Sequence, residues 1–166
     1  MKSQNTIKEQ PGIKGRVRAV LINEKTKQKR IINWNKNLIT TAGAQSILYH
    51  FGGLGAYSYE GRANYGAIGS GTATPAISNT ALGTELARTA TVEISSASVV
   101  GLTLTLQTFF TSGIAYSDIS EFGLFGDDAS GVSASGTLME HALFSETFDK
   151  STDESLTVDV EITLTI

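Results

Sequence analysis

The clearest pattern in the chain is the alternation of apolar and polar positions over residues 156–166. Leu156, Val158 and Val160 begin a series of even-numbered aliphatic residues that continues to Ile166, and the odd-numbered positions between them carry threonine or acidic residues. Side chains of a β-strand point alternately to the two faces of a sheet. This alternation therefore predicts a long strand with one buried face and one wet face.

Shorter segments of the same kind predict the rest of an antiparallel sheet. They cover residues 13–22, 28–34, 65–68, 87–95, 102–110, 119–125 and 137–144, with a turn expected near residues 98–101. One wet face per strand favours antiparallel pairing over a buried parallel sheet. The sequence thus predicts an all-β protein, an antiparallel β-sandwich of the jelly-roll type. We expect residues 1–12 to form a flexible N-terminal arm, and residues 13–166 to form one domain that includes a basic N-terminal hairpin.

One segment has the periodicity of an α-helix instead. Within residues 40–51, Ala44, Ile47, Leu48 and Phe51 recur at helical spacing and form one apolar stripe. A threonine at the start can cap the helix, and the glycine pair after it can end the helix in a left-handed turn. A helix of about three turns is not stable alone, so we expect the apolar stripe to pack on the sheet.

Charge is distributed unevenly along the chain. Residues 1–36 carry ten of the thirteen basic residues but two of the sixteen acidic ones, a net charge of +8, whereas the remainder carries −11. This asymmetry favours docking of the basic hairpin on an acidic neighbour rather than on nucleic acid, because its basic residues alternate with apolar ones. A solvated basic hairpin remains the alternative. The residues expected at this contact are Arg16, Arg18, Lys27, Lys29, Arg30 and Trp34.

Three tyrosines in a glycine-rich stretch form the second group of candidate contact residues. Tyr57, Tyr59 and Tyr65 lie within residues 52–71. Tyrosine buries a large apolar face at low entropic cost and keeps a hydroxyl group for hydrogen bonding. We expect these side chains to pack against neighbouring subunits; folding back on their own core and binding of a sugar are the alternatives.

The residues that carry common chemistries are absent or poorly placed. The chain has no cysteine, so disulfides and thiolate metal sites are excluded. Gly69-Ser70-Gly71 lacks the lysine of a phosphate loop. His50 and His141 are the only histidines, and the acidic pairs Asp127-Asp128 and Asp153-Glu154 lie in predicted loops without EF-hand spacing. The sequence therefore predicts no enzymatic activity, no catalytic residue, no cofactor and no metal site.

Several short motifs in a fixed order resemble a known class of protein. They are Asn37–Thr40, Ala67–Gly71, Thr74-Pro75-Ala76, Asn79–Leu82, Glu85–Arg88, Ile119–Gly126 and Leu138–Phe144. This order is similar to that of small virion structural proteins of tailed bacteriophages, which are associated with the tail, collar or fibres. The resemblance covers about residues 31–166 and implies a structural role in many copies per particle.

Together these observations lead to one expected function and two alternatives. We expect a structural subunit of the virion, assembled in the host cytoplasm, whose partners are other virion proteins and copies of itself. No apolar run approaches the length of a membrane span, and no secretory signal is recognisable, so a membrane partner is not expected. The alternatives are a carbohydrate- or receptor-binding β-module for a host-surface glycan, and a decoration protein of the capsid surface.

Overall fold

The structure, a computed structural model, describes residues 12–53, 62–90, 98–100 and 102–165, and for residues 98–100 the backbone alone. The strands are β1 (Gly12–Asn23), β2 (Lys29–Ile39), β3 (Ala63–Gly69), β4 (Glu85–Ala90), β5 (Ser98–Val100), β6 (Thr103–Phe110), β7 (Tyr116–Gly126), β8 (Thr137–Lys150) and β9 (Glu154–Thr165), and the helix is α1 (Thr41–Gly52). The predicted N-terminal arm, apart from Gly12, lies outside the described residues.

All strand pairs are antiparallel and follow the order β4-β3-β7-β8-β2-β1-β9-β6-β5. Eight of the strands form a sheet that nearly closes into a barrel, with β4 returning beside β6, and the short β5 pairs with β6 alone. The predicted mostly-β, antiparallel chain with one short helix is confirmed. The strands form one continuous sheet rather than the two packed sheets of the predicted sandwich. A sandwich and a barrel both give each strand one wet face, so alternation does not distinguish them.

The boundaries of most predicted strands are close to those observed, with two differences. Residues 98–100, where the sequence predicts a turn, form β5. The strand predicted at residues 87–95 begins earlier, at Glu85, and is described as far as Ala90. The long alternating strand at the C-terminus is confirmed, since Leu156, Val158 and Val160 are buried.

The barrel has two ends of different composition. At the hairpin end, which we define by the β1–β2 turn (24–28) and the β8–β9 turn (151–153), the interior is filled by Phe110, Phe144 and Phe148. The rings of Phe144 and Phe148 meet edge to face, with centroids 5.1 Å apart. The helix end is the opposite one, where β2 ends and β3 begins and where α1 packs on β8.

Both predicted caps of α1 are present. The Thr40 side chain accepts a hydrogen bond of 3.0 Å from the backbone N–H of Gly43, which satisfies one of the free donors of the first turn. At the other end, Gly53 adopts the left-handed conformation with φ of 62° and donates to the carbonyl groups of the last turn.

The face of α1 that packs on the sheet is not the predicted one. Gly43 and Ser46 are its buried residues, whereas Leu48 and Phe51 of the apolar stripe are exposed. A Cβ atom on Gly43 would overlap the backbone of Met139 in β8. The helix therefore approaches the sheet through its smallest side chains. Of the predicted stripe, Ala44 and Ile47 are half-buried, and the expectation that Leu48 and Phe51 pack on the sheet is wrong.

Candidate functional site

The loop between β3 and β4, residues 70–84, folds back over the outer face of β7 and β8, and we call it the strap loop. One carboxylate binds both ends of this loop. Glu121 of β7 accepts hydrogen bonds from the backbone N–H groups of Gly71 (2.8 Å), Gly83 (3.0 Å) and Thr84 (2.9 Å). Because Glu121 is buried, these three donors replace the water that the carboxylate loses on folding.

His141 of β8 extends the same network. Its Nε2 lies 2.9 Å from Oε2 of Glu121, and its Nδ1 lies 2.8 Å from Oδ1 of Asn79 in the strap loop. That Asn79 oxygen also accepts the N–H of Ala76, which fixes the orientation of the amide. Both ring nitrogens of His141 thus face acceptors inside the protein, and neither remains for a nucleophile or a substrate.

The charge state of Glu121 follows from these partners. Burial alone would raise the pKa of the carboxyl group. The hydrogen bonds from His141 and from the backbone N–H groups of Thr84, Gly83 and Gly71 outweigh this effect and lower the pKa of Glu121 to about 2. The network is therefore anchored by a carboxylate at neutral pH.

Two glycines, the last residue of β3 and one in the strap loop, permit this arrangement. A Cβ atom on Gly71 would overlap Oε1 of Glu121, and one on Gly69 would lie 2.5 Å from the same oxygen. The backbone thus lies too close to the Glu121 carboxylate for a larger residue at either position. Neither residue needs a left-handed backbone, since among the described glycines positive φ occurs at Gly53, Gly113 and Gly136.

A second buried ion pair holds the loop between β7 and β8 against the same face. Arg88 donates two hydrogen bonds, of 2.6 and 2.7 Å, to the carboxylate of Glu85. It also donates to the carbonyl groups of Ser130 and Ser135, and its guanidinium lies 4.3 Å from the ring centre of Phe125. Glu85 and Arg88 are three residues apart, a spacing that would also let them pair on a helical turn. The structure places them on β4, where a bulge opposite Ile68 and Gly69 brings both side chains to one face.

The motifs that carry the resemblance therefore meet in one region. The strap-loop motifs, the Glu85–Arg88 pair, Glu121 and His141 all take part in the two networks on the outer face of β3, β7 and β8. In the described chain, these residues hold loops to a sheet. They do not surround an open cleft.

Three of the predicted contact residues lie together on the outer face of β1 and β2. The guanidinium carbons of Arg16 and Arg18 lie 4.4 and 4.7 Å from the ring centre of Trp34. Arg16 also pairs with Glu161 at 2.6 Å, and Arg18 with Asp159 at 2.7 Å. Trp34 is therefore not an open aromatic platform, which is the feature that would favour the glycan-binding alternative.

The remaining predicted basic residues lie at or near the hairpin end. Lys27 pairs with Glu24 at 3.0 Å, Arg30 lies 3.5 Å from Glu154, and Lys29 is exposed on β2. Three basic residues of the positively charged region 1–36, namely Arg16, Arg18 and Arg30, thus pair with acidic residues of the remainder of the chain. Docking on an acidic neighbour stays a prediction. One surface pocket of about 690 Å³ is lined by the basic residues Lys14, Arg16 and Lys36 and by Glu161, the partner of Arg16.

Of the three predicted tyrosines, Tyr65 alone lies within the described residues. It is half-buried on β3 and packs against an outer cluster formed by Ala67, Leu82, Phe125 and Leu138. Tyr65 therefore contributes to its own core, the alternative considered for it above. The contacts predicted for Tyr57 and Tyr59 fall outside the described residues.

Sequence reasoning missed two buried charged side chains. Glu140, directly before His141, faces the barrel interior, and Lys150 at the hairpin end donates a hydrogen bond of 2.7 Å to the carbonyl group of Ile114. Burial lowers the pKa of Lys150, although Glu154 acts in the opposite direction. Both residues interrupt apolar strand positions, a signal that could have identified them.

The exposed apolar residues of α1 are the second feature that the sequence did not predict. Phe51 is 90% exposed and Leu48 is 67% exposed, and both belong to the stripe that was expected to pack inward. The helix carries no charged side chain apart from a titratable His50 near its end. Contiguous exposed apolar side chains of this kind mark contact sites in soluble proteins.

Neither a metal site nor a membrane-spanning helix is recognisable in the part of the chain that the structure describes. No group of three or more histidine, aspartate or glutamate side chains there is placed to hold a metal ion. None of the described helices has the length and hydrophobicity needed to cross a bilayer.

Comparison with protein-family models, with curated proteins and with solved structures found no match for this chain.

Proposed function

We propose that this chain is a non-enzymatic structural subunit of a tailed-bacteriophage particle, in the tail, the collar or the fibre attachment region. It acts through contacts with copies of itself and with other virion proteins. The order of motifs described above supports this proposal. The structural role of these motifs also supports it, since Glu121, His141 and Arg88 form the hydrogen bonds of two buried networks that hold loops to the sheet.

The exposure of Phe51 and Leu48 is the observation that carries the proposal. Leaving a large apolar side chain in water forgoes roughly 1.5–3 kcal/mol relative to burying it. A neighbouring subunit that covers the C-terminal half of α1 recovers this free energy. Aromatic side chains in such positions commonly supply much of the affinity of an interface.

The test is to label the chain on intact particles of the phage that encodes it and to image the label. We expect it at the tail, the collar or the base of the fibres. A label on the head surface would identify a capsid decoration protein. Absence of the chain from purified particles would contradict the proposal.

A pair of matched variants tests the role of α1. Phe51→Ser is expected to leave the melting temperature nearly unchanged and to reduce incorporation into particles at least tenfold. Val132→Ser is the control, because Val132 is also strongly exposed but lies in the loop between β7 and β8. Equal incorporation of the two variants would show that α1 is not the contact surface.

A further inference from the structure

Glu140 is a buried acid inside the barrel with a single polar partner. It lies opposite Leu124 of the core on β7, so its side chain points inward, and it is 4% exposed. Its Oε2 accepts a hydrogen bond from Nδ2 of Asn37 on β2. Oε1 of Glu140 and Oδ1 of Asn37 are both acceptors without a donor among the described residues. One proton on Glu140 would supply the missing donor.

One further acidic side chain lies at this end of the barrel: Asp127, just after β7, is buried and accepts a hydrogen bond of 2.7 Å from Ser46 of α1. The neighbouring inner-face residues of the strands carry no charge: they are Gly15 and Val17 on β1, Asn37 and Ile39 on β2, Phe122 and Leu124 on β7, and Val160 and Ile162 on β9. The titratable residues of α1, Tyr49 and His50, are on its exposed side. An ionised Glu140 would therefore have the Asn37 amide as its donor and no opposite charge.

The strands that Glu140 and Asn37 join are weakly paired. The ladder between β2 and β8 has three paired positions, from Asn37 with Ala142 to Ile39 with Glu140, whereas the ladder between β1 and β9 has twelve. The Asn37–Glu140 contact thus lies within the shortest ladder of the barrel. Beyond the ladder, Thr40 donates a backbone hydrogen bond of 3.0 Å to the carbonyl group of Met139, and Asn35 donates from Nδ2 to the carbonyl group of Leu143. Opening of the seam breaks these contacts together with the three paired positions.

We propose that Glu140 is a proton-dependent latch of the helix end. In the neutral form it holds β2 against β8 through Asn37, and loss of the proton favours opening of the seam between these two strands. The carboxylate then gains the hydration that the closed barrel withholds.

The direction of the pH effect follows from linkage. Burial raises the pKa of Glu140 from 4.5 to about 8 in the closed barrel. In an open seam the carboxyl group has an ordinary pKa. The closed form is therefore favoured below the ordinary value, and its advantage is lost as the pH rises toward 8. One proton changes the opening equilibrium up to tenfold per pH unit over that window, and the change levels off above it.

Hydrogen exchange of backbone amides tests the latch. Protection factors at residues 37–39 and 140–142, corrected for the intrinsic pH dependence of exchange, are expected to fall up to tenfold per pH unit between about pH 5 and 8. Amides of residues 156–160 in the β1–β9 ladder serve as the internal reference. Glu140→Gln is expected to remove the pH dependence, and Glu146→Gln, an exposed site on the same strand, is expected to keep it.

A ¹³C NMR titration of the Glu140 carboxyl group in the wild-type protein completes the experiment. The latch requires its midpoint to coincide with the pH at which the loss of protection levels off. An ordinary midpoint, or a raised midpoint with constant local protection, would overturn the proposal. These wild-type measurements decide the question even if Glu140→Gln does not fold.

Discussion

Two buried glutamates on neighbouring strands have pKa values shifted in opposite directions. Glu121 on the outer face of β7 and Glu140 on the inner face of β8 are both almost completely buried. The pKa of Glu121 is lowered to about 2, and that of Glu140 is raised to about 8. The difference lies in the donors: Glu121 has three backbone N–H groups and an imidazole ring, whereas Glu140 has one amide.

The comparison shows that burial by itself does not decide whether a carboxyl group is charged. Enough directed donors make the carboxylate the stable form even without water, and too few leave the neutral acid as the stable form. On the outer face the charge holds a loop in place. In the interior the absence of charge keeps a strand pair closed.

The largest effect is expected for Glu121→Gln. It removes the charge that three backbone donors and His141 share, and we expect the free energy of unfolding at pH 7 to fall by about 3–5 kcal/mol. Urea denaturation followed by circular dichroism measures this loss. The pKa of Glu121 is lower in the folded chain, so its contribution is present above pH 4.5 and lost as the pH falls toward 2. The variant should lack this acid dependence, and Glu146→Gln should stay within about 0.5 kcal/mol of wild type.

The opposite sign is expected for Glu140→Gln. At pH 7 Glu140 must take up a proton when the chain folds, and a neutral amide removes this cost, so we expect a gain of about 2–3 kcal/mol in the free energy of unfolding. The gain should shrink toward pH 5, where the wild-type carboxyl group binds its proton in the folded and, increasingly, in the unfolded chain. Denaturation curves at pH 5, 6, 7 and 8 measure the trend. A variant less stable than wild type at pH 8 would contradict the comparison.

Gly15→Ala disturbs the same site indirectly. A Cβ atom at residue 15 would overlap the Asn37 amide and push it away from Glu140. We expect a loss of about 1–2 kcal/mol at pH 7, typical of overpacking. Gly131→Ala is the matched control because its Cβ would meet no atom within 4 Å. Equal melting temperatures of the two variants would show that Asn37 moves without cost.

The smallest effect is expected for a carboxylate whose cationic partner is half-exposed to water. Glu161 pairs with Arg16 at 2.6 Å, but the Arg16 side chain is half-exposed. We expect Glu161→Gln to change the free energy of unfolding by less than about 1 kcal/mol, and by less still in high salt. Parallel denaturation in low and high salt measures it. A loss as large as that of Glu121→Gln would mean that the size of the loss in stability depends on the charge alone and not on the number of buried donors.

The sequence predicted the regular features of this fold well. The alternation at residues 156–166 identified β9 because, in a half-buried strand, the polarity of each residue alone indicates the face of the sheet to which it points. The caps of α1 were predicted for the same reason, since Thr40 and Gly53 act through local hydrogen bonds. These signals are local in the chain, and the structure confirms them.

The features that were missed depend on residues far apart in the chain. The packed face of α1 is chosen by how closely Gly43 approaches the Met139 backbone, and hydrophobicity does not report that distance. The donors of Glu121 are backbone groups of the strap loop, which no side-chain pattern reveals. Glu140 and His141 are adjacent in sequence, yet one faces the core and the other faces the strap loop. Of the predicted contact residues, the sequence grouped Arg16, Arg18 and Trp34 correctly but did not identify their acidic partners in β9.

The position of β9 has a consequence for how the chain folds. It pairs with β1 at twelve positions, from Asn23 with Glu154 to Gly12 with Thr165, and it pairs with β6 on its other side. During synthesis, β1 and β6 leave the ribosome before β9 is made. Until β9 is made, each of these two strands therefore has one unpaired edge. Contacts between such distant segments slow folding, and open strand edges invite association with other chains. The barrel therefore closes late, and the yield of folded chain depends on β9 pairing with β1 and β6 before another molecule binds to their open edges.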